Sequence, residues 1–324
     1  LEDAAAEVGR ICNAYKDQDI DLTVLLTHIG FDADKELAAL LDPQWGVDMI
    51  IGGHSHTILE QPEKINNILI AQAGVGTDQI GRFDIVVDDD TNSSIEWTWK
   101  LIPIDNAVAE PDQDLQAFID TYQEQVDRKY NTMISRLTEK LTHPRREEET
   151  ALGNLFADMM AERSQADVVF VGSGSIRGTE LGPVVTLGNL RTIYPYDGPV
   201  YKCTVPGRQL LQMFARFMRP DNRKGEGECY QVNRAVKAVY NNATATLESL
   251  TINGQSVQGD QQYTICLQDY HYTNAERIFD LPVGALDAIA KHAVVTTSGR
   301  DVFIEYLSYH QNVSSKVEGR LQYR

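Results

Sequence analysis

Apolar residues in the first part of the chain follow two different spacings. Residues 1–16 place apolar side chains three or four positions apart, which predicts a helix with one buried face. Continuous apolar runs at 21–27 and 47–51 predict strands that are buried on both faces. A helical pattern at 34–41 lies between them. This alternation of helices and buried strands indicates an α/β sheet.

The middle of the chain carries three more predicted strands and then a long polar segment. The strands are predicted at 67–71, 81–87 and 94–103. The polar segment at 112–130 has apolar residues at helical spacing, which predicts an amphipathic linker helix: Leu115, Phe118, Ile119, Tyr122 and Val126. Because the patterns on its two sides differ, we assign residues 1–108 to a first domain, 109–130 to the linker and 131–324 to a second domain.

The second domain mixes helical and strand patterns. Its predicted elements are helices at 150–163, 207–218 and within 282–292, strands at 167–171, 235–240, 246–252 and 262–266, and a flexible loop at 219–228. The expected fold class is therefore α/β (α+β), with a separate mixed α/β domain after the linker.

Charge limits the partners that this chain is expected to bind. Lys and Arg number 29 against 47 Asp and Glu, which gives a net charge of −18. This balance argues against duplex nucleic acid and anionic membranes as partners. It does not exclude a nucleotide or another small phosphate ester, since a local pair of arginines can hold one. No apolar run has the length of a transmembrane segment.

The four cysteines do not form a recognisable motif. No two of them have the spacing of a CxxC redox or zinc site. Cys203 and Cys229 flank the polar loop, so both a disulfide between them and a set of four thiols stay open.

Two predicted strands each end in a turn that carries histidine. Thr-His-Ile-Gly at 27–30 contains His28, and Gly-Gly-His-Ser-His at 52–56 contains His54 and His56. The carboxyl ends of strands in an α/β sheet converge on ligand sites, and glycine allows close approach of the backbone. The residues therefore leave two interpretations open: a metal site, or histidines that are solvated or hydrogen-bonded.

These turns resemble the last two metal motifs of the calcineurin-like metallophosphoesterases. The similarity is to the 5'-nucleotidase / 2',3'-cyclic phosphodiesterase branch, and it extends to Ala-Gln-Ala-Gly at 71–74 and Gly-Arg-Phe-Asp at 81–84. The resemblance implies a partial α/β/β/α sandwich. It also implies two divalent ions of the Zn, Mn, Co or Mg class in the complete enzyme, one held by His28 and His54 and the other by His56.

Three further metal motifs of that family are missing from this sequence. The Asp-x-His, Gly-Asp and Gly-Asn-His-Asp/Glu motifs precede position 27 in the family order, and none occurs in residues 1–26. Without a bridging carboxylate two close metal ions repel each other. We therefore expect this chain alone to hold at most one ion and to need an N-terminal segment, a partner chain or a dimer contact for activity.

Four segments of the second domain resemble the 5'-nucleotidase C-terminal domain. Residues 146–158 match its Arg-x-x-Glu-Ser/Thr-x-Leu-Gly-Asn-Leu-x-x-Asp signature, and 166–178 match its Ala-Asp to Gly-Ile-Arg motif. Residues 186–198 match the segment that ends in Leu-Pro-Phe, and 317–321 match the closing strand. Two positions depart from the family pattern: Gly172 replaces an asparagine, and residues 270–277 replace a Gly-Gly-Asp-Gly segment.

The matched motifs contain candidates for binding a phosphate ester. The small residues at 172–175 predict exposed backbone N–H groups, and Arg177 offers a guanidinium suited to phosphate oxygens. Arg146 adds a second guanidinium, with Arg145 as its rival. Asn154 is either a substrate contact or a structural residue.

Aromatic side chains stack on nucleobases, so exposed rings are candidates for holding the base of a nucleotide. By the resemblance, Tyr196 provides one ring, unless it lies in the core, and Tyr270 or Tyr272 provides the second.

The leading functional expectation is metal-dependent hydrolysis of phosphomonoesters, above all nucleoside 5'-phosphates, in the complete protein. The alternatives are a non-catalytic nucleotide- or anion-binding module and one half of a split enzyme. The resemblance implies a periplasmic or cell-surface location.

Overall fold

The chain forms two compact units in a computed structural model that describes residues 1–88, 93–223, 228–281, 286 and 292–324. The units are Leu1–Ala117 and Phe118–Arg324, and the division falls inside the predicted linker helix. The helix predicted within 282–292 and part of the predicted loop at 219–228 lie outside the described residues. The domain boundaries drawn from the sequence stay predictions.

The first unit contains a small mixed sheet with helices packed against it. Its elements are α1 (Glu2–Tyr15), β1 (Val24–Leu26), α2 (Phe31–Leu40), β2 (Met49–Ile51), β3 (Glu63–Ile65), β4 (Ile68–Ala71), β5 (Gln79–Asp88) and β6 (Ser93–Pro103). The sheet order is β1-β2-β4-β3; β1, β2 and β4 run parallel, and β3 is antiparallel to β4. β5 and β6 form an antiparallel hairpin. The core consists of Ala5, Leu37, Ala38, Leu41, Ile50, Ile68 and Ile70.

The prediction of a strand buried on both faces at 21–27 is wrong. The strand covers only Val24–Leu26, and Leu26 is 82% exposed. The reason is its place in the sheet: within the described residues β1 lies at the edge and pairs with β2 alone. An edge strand has a neighbour on one side only, so continuous apolar sequence does not guarantee burial.

The helix predicted at 112–130 is present as α3 (Gln113–Tyr130), although its apolar side chains are not covered. No residue of α3 is buried. The five apolar positions that define its amphipathic spacing are between 43% and 59% exposed. Helical periodicity therefore identified the element but not its environment.

The second unit is larger and has two main sheets. Its elements are β7 (Met133–Arg136), β8 (Leu141–Thr142), α4 (Ala151–Ser164), β9 (Val168–Gly172), β10 (Glu180–Leu181), β11 (Val184–Thr186), α5 (Leu187–Ile193), β12 (Val200–Pro206), α6 (Gly207–Phe217), β13 (Tyr230–Val232), β14 (Val236–Asn241), β15 (Thr246–Ile252), β16 (Gln255–Ser256), β17 (Gln262–Gln268), α7 (Asp269–Thr273), α8 (Ala275–Phe279), β18 (Ala293–Thr296), α9 (Gly299–Tyr309) and β19 (Leu321–Tyr323). The sheet orders are β13-β9-β17-β12-β18 and β16-β15-β14-β19.

β9 shows why the larger sheet has a helix on each face. All five of its residues are buried, and successive side chains of a strand point to opposite faces. Val168 and Phe170 join the core cluster that contains α6, whereas Val169 and Val171 join the cluster that contains α4. A strand covered on both sides in this way confirms the α/β class predicted for the second domain.

A buried arginine attaches the end of the chain to this unit. Arg320 is 1% exposed, and its guanidinium donates to both carboxylate oxygens of Asp158 at 2.9 and 2.8 Å. It also donates to Glu318 and to the carbonyl oxygen of Val232. Hydrogen bonds between a charged guanidinium and carboxylates are strong. Because Arg320 directly precedes β19, these bonds hold the closing strand in place.

The four cysteines are all free thiols, so the Cys203–Cys229 disulfide is not formed. Three of them are buried, and burial raises the pKa of Cys229 to about 11 and that of Cys266 to about 12. In the described part of the chain, no helix combines the length and the apolar character needed to cross a bilayer.

Candidate functional site

The carboxyl end of β9 is the place where the predicted substrate-binding segments meet. β9 runs parallel to β17, with Phe170 opposite Leu267, so both strands end at the same edge of the sheet. Gln268, the last residue of β17, pairs with Val200, the first of β12. The segment before β12, the start of α7 and the turn after β9 therefore lie at one edge, as expected for a ligand site in an α/β sheet.

The turn after β9 uses part of its hydrogen-bonding capacity internally. Residues Ser173–Ser175 form a short 3-10 helix. The N–H of Gly172 donates to Oε1 of Gln268 at 3.1 Å, and the N–H of Ser173 donates to the carbonyl oxygen of Cys229 at 2.8 Å. Two of the four N–H groups predicted to be exposed are thus engaged within the protein.

Two predicted arginines converge on this turn. Nη1 of Arg146 lies 3.7 Å from the position that a Cβ would take on Gly174. Nη1 of Arg177, an exposed residue, donates to the carbonyl oxygen of Gly174 at 3.5 Å. Arg145 instead pairs with Glu148 at 3.0 Å on the surface. The geometry thus places Arg146, rather than its rival, beside the turn.

A buried polar network holds the arginine-bearing segment against the turn. The ring of His143 bonds with the hydroxyl of Thr150 at 2.8 Å and with the carbonyl oxygen of Ser173 at 3.2 Å. The amide of Gln231 donates to the hydroxyl of Ser173 and to the carbonyl oxygen of Glu148, both at 2.8 Å. Burial lowers the pKa of His143, so its ring is neutral near pH 7.

These positioning residues were not found by sequence reasoning. A signal for one of them was present, since Thr150 precedes a helical pattern as N-cap residues do, and its hydroxyl accepts the N–H of Gly153. The partners of Gln231 are more than 55 residues away along the chain, so no local pattern marks it.

His271 lies directly behind the turn and was also missed. The residue is 2% exposed, and its Nδ1 bonds with the hydroxyl of Tyr230 at 3.1 Å. Its Nε2 is buried and has no hydrogen-bond partner among the residues described, and a Cβ on Gly172 would overlap this atom. The glycine at the family's asparagine position therefore makes room for the imidazole. Burial lowers the pKa of His271 to about 4.

The three candidate stacking rings differ in exposure. Tyr196 and Tyr270 are each 53% exposed, and the hydroxyl of Tyr270 donates to Glu228 at 3.2 Å. Tyr272 is half-buried and stacks on Tyr201, with ring centroids 4.5 Å apart. One face of Tyr272 is therefore already covered, and Tyr196 and Tyr270 are the more exposed of the three rings.

Asn154 lies in the interior of the unit. It has no exposed surface, and its amide donates to Glu149 at 2.6 Å and to the carbonyl oxygen of Lys316 at 2.9 Å. Glu149 in turn accepts the backbone N–H groups of Glu318 and Arg320. In this conformation Asn154 cannot touch a ligand, and it orients Glu149 instead.

The two histidine-bearing turns of the first unit lie side by side, each following one of the parallel strands β1 and β2. The rings of His28 and His54 are 5.3 Å apart in an edge-to-face arrangement. His54 and His56 both have positive φ, at 76° and 56°. The hydroxyl of Ser55 accepts the N–H of Phe31 at 3.0 Å and so ties the two turns together.

The predicted ligands do not form a complete metal site. All three histidines are exposed, and no group of three or more His, Cys, Asp or Glu within the described residues is arranged to hold a metal ion. Two imidazoles at the observed separation are compatible with part of a ligand shell, whereas a zinc site usually takes three or four protein ligands. Metal binding by this chain stays a prediction.

Asp34 is a buried acidic residue beside the second of these turns. It is fully buried, and neither carboxylate oxygen has a hydrogen-bond partner among the described residues. A Cβ on Gly52 would overlap its Oδ2. Burial raises the pKa of Asp34. Its spacing from the buried Leu37 and Ala38 was a helical signal that could have identified it.

Comparison with known proteins identifies relatives along much of the chain. The trifunctional nucleotide phosphoesterase protein YfkN of Bacillus subtilis (strain 168) is 29% identical over 212 residues, which are 61% of this chain and 14% of that protein. The 5'-nucleotidase-related protein of Glossina morsitans morsitans is 24% identical over 94% of this chain. The chain spans only 14% and 61% of the lengths of these two curated relatives.

Solved structures share the fold. The crystal structure of a 5'-nucleotidase precursor from Thermus thermophilus has a TM-score of 0.79 at 18% identity, and the match covers 98% of this chain and 67% of that one. A putative 5'-nucleotidase from Staphylococcus aureus has a TM-score of 0.70 at 20% identity, with 99% and 67% coverage. The family model described as "5'-nucleotidase, C-terminal domain" matches residues 132–281. Residues 132–281 of this chain therefore match the 5'-nucleotidase C-terminal domain family.

Proposed function

We propose that the complete protein hydrolyses phosphomonoesters, with nucleoside 5'-phosphates as its leading substrates. The observation that carries this proposal is the convergence of Arg146 and Arg177 on the Gly174 turn, at the carboxyl end of β9. Two guanidiniums at one small-residue turn provide planar, permanently charged donors for phosphate oxygens. On a chain with a net charge of −18, such a local pair is required to attract an anion.

The exposed rings at the same edge of the sheet give the site room for an organic group. Tyr196 precedes β12 and Tyr270 follows β17, and these two strands pair through Val200 and Gln268. A nucleobase stacked on either ring would gain roughly 1–3 kcal/mol. In this proposal the arginines orient the phosphoryl group, and the tyrosines hold the rest of the substrate.

We further propose that divalent metals serve this family's complete enzymes. One relative of this chain is the uncharacterised metallophosphoesterase YunD of Bacillus subtilis (strain 168), 24% identical over 77% of this chain. His28, His54 and His56 would be this chain's contribution to a metal centre, and by themselves they would hold at most one ion. Because the described residues do not complete that centre, the chain's own part in the reaction is to bind and orient the phosphate ester.

Specific observations favour two other candidates. A non-catalytic nucleotide- or anion-binding module requires a formed binding turn but no complete metal centre. The second unit has such an arginine-lined turn, and the metal ligands predicted in the first unit are incomplete among the described residues. The exposed edge strand β1, with Leu26 82% exposed, fits one half of a split enzyme or a dimer contact. The family resemblance supports a periplasmic or cell-surface location for all three candidates.

The test is release of inorganic phosphate from AMP in the presence of Mn²⁺ or Zn²⁺. It is run on this chain and on any longer product of the same gene, with His54→Ala as the control for metal-dependent activity. We expect activity in a longer form only, and loss of that activity in His54→Ala.

The outcome also separates the candidates. If no form releases phosphate while AMP still binds in an Arg177-dependent manner, the binding module replaces the hydrolase. If this chain becomes active only when a separate N-terminal chain is added, the split-enzyme hypothesis replaces the proposal of a single-chain hydrolase.

A further inference from the structure

A cavity lies in the larger unit at the end of α6. Its volume is about 460 Å³. The wall comes from α6 and the segment that follows it, from β14 and the turn after it, and from the end of α8: Gln212, Ala215, Arg216, Arg219, Pro220, Asp221, Tyr240, Ala245, Phe279 and Asp280. None of these residues belongs to the candidate phosphate site.

Two arginines in this wall have unsatisfied hydrogen-bonding groups. Nε of Arg216 and Nε of Arg219 are both buried, and neither has a hydrogen-bond partner in the described part of the chain. Within the same residues, neither guanidinium takes part in an ion pair. Other arginines of the unit do form ion pairs: Arg208 on the same helix pairs with Asp260, and Arg300 pairs with Asp197. Buried donors without acceptors are uncommon, so a pair of them in one cavity indicates a missing acceptor.

The rest of the wall defines the ligand that would supply that acceptor. Phe279 and Tyr240 are buried rings, and Ala215 and Pro220 add apolar surface. Asp221 and Asp280 are the acidic groups among the wall residues named above, and they reduce the positive potential there. A ligand that matches both the arginine donors and the apolar part of the wall has an anionic head and a small apolar or aromatic body.

We propose that the cavity at Arg216 and Arg219 is a second anion-binding site, which takes a small phosphate or carboxylate that carries an apolar group. The two guanidinium groups donate to oxygens of the anionic head, and the apolar group packs against the half-buried Ala215 and Pro220. Guanidinium groups bind phosphate and carboxylate alike because each of these anions presents two oxygens that can accept two parallel N–H groups. The site is separate from the proposed substrate site and does not depend on hydrolytic activity.

Titration calorimetry and ligand-observed NMR with phenyl phosphate test this proposal on the full chain. The wild-type protein is expected to show two sites. Arg146→Gln with Arg177→Gln removes one of them, and Arg216→Gln with Arg219→Gln removes the other, each with a loss of affinity of roughly tenfold or more. Arg208→Gln, on the same helix and exposed, is the matched control and leaves both sites unchanged.

Two further measurements keep the proposal falsifiable if the double arginine variant does not fold. Asp221→Asn removes a negative charge from the wall, so phenyl phosphate should bind this site more tightly. Benzoate in place of phenyl phosphate shows whether the site takes a carboxylate as well. Unchanged binding in Arg216→Gln with Arg219→Gln, weaker binding in Asp221→Asn, or preferential binding of the cation benzylamine would overturn the proposal.

Discussion

The two units of this protein differ in how they treat buried charge. In the second unit, the buried guanidinium of Arg320 is matched by the carboxylates of Asp158 and Glu318. In the first unit, the carboxylate of Asp34 is fully buried, and neither of its oxygens has a partner among the described residues. Because an unpaired buried charge is costly, Asp34 is expected to lower the stability of the first unit at pH values where its carboxyl is ionised.

The same contrast extends to the candidate chemistry. The second unit brings Arg146 and Arg177 to one turn and supports them with a buried polar network, so its site is organised by its own residues. The first unit places three exposed histidines on two turns without completing a metal site in the described part of the chain. A family motif thus identifies which residue types take part, whereas the surrounding packing decides whether they form a site.

The largest expected effect tests the paired charges of the second unit. Arg320→Ala leaves Asp158 without its buried partner, which should cost about 3–5 kcal/mol of unfolding free energy. Arg234→Ala removes the other arginine that bonds with the same carboxylate, but Arg234 is 71% exposed and should cost less than about 1 kcal/mol. Urea unfolding followed by circular dichroism compares the two variants. Equal losses would show that burial of Arg320 does not matter.

The next effect concerns pH and His271. The difference between an ordinary histidine pKa of 6.5 and a folded-state pKa of about 4 corresponds to roughly 3 kcal/mol. Because the unfolded state binds the proton more readily, this stability is present above pH 6.5 and is lost as the pH falls towards 4. The carboxylate of Glu228, 4.0 Å away, does not offset the effect of burial.

His271→Gln should therefore flatten the pH dependence of the second unit between pH 6.5 and 4, as measured by urea midpoints. His310→Gln is the control, since the ring of His310 is exposed and hydrogen-bonds only to the carbonyl oxygen of Tyr306 among the residues described. A wild-type pH profile in His271→Gln would contradict the role assigned to this residue.

A smaller effect is expected at the turn after β9. Gly172→Ala would place a Cβ against Nε2 of His271, and overpacking of this kind costs about 1–3 kcal/mol. Gly174→Ala would meet only Arg146, at 3.7 Å, and should leave the melting temperature nearly unchanged. The melting temperatures of both variants show whether glycine is needed at position 172 to make room for the ring of His271. Equal tolerance at the two positions would exclude that role.

The smallest effect probes the first unit alone. Burial raises the pKa of Asp34, so the folded carboxyl keeps its proton to a higher pH than the unfolded one. Stability from this group is thus present at low pH and is lost as the pH rises through the folded-state pKa, and Asp34→Asn should remove that dependence. Asp32→Asn, with a carboxylate that is 90% exposed, is the control.

Tryptophan fluorescence isolates the first unit for this measurement. All three tryptophans, Trp45, Trp97 and Trp99, lie within residues 1–117. If the fluorescence midpoint responds to pH identically in Asp34→Asn and in the wild type, the buried carboxyl of Asp34 does not affect the stability of the first unit. The proposed contrast in buried charge between the two units would then be wrong.

Local patterns in the sequence were sufficient for some features and not for others. The buried strand β9 and the helices α4 and α6 follow from apolar periodicity, and the confirmed fold follows from them. His271, Gln231 and the stacking of Tyr272 on Tyr201 depend on strands that pair across long separations in the chain. Periodicity carries no information about such pairings, so the positioning residues and the covered ring could not be predicted.

The central claim is that Arg146 and Arg177 hold the phosphate of a nucleotide at the Gly174 turn. It is tested most directly by titrating AMP into the wild-type protein and into Arg146→Gln, Arg177→Gln and Arg145→Gln. We predict affinities roughly tenfold or more weaker for the first two variants and an unchanged affinity for Arg145→Gln. Loss of affinity in Arg145→Gln alone, or equal binding by all three variants and the wild type, would contradict the claim.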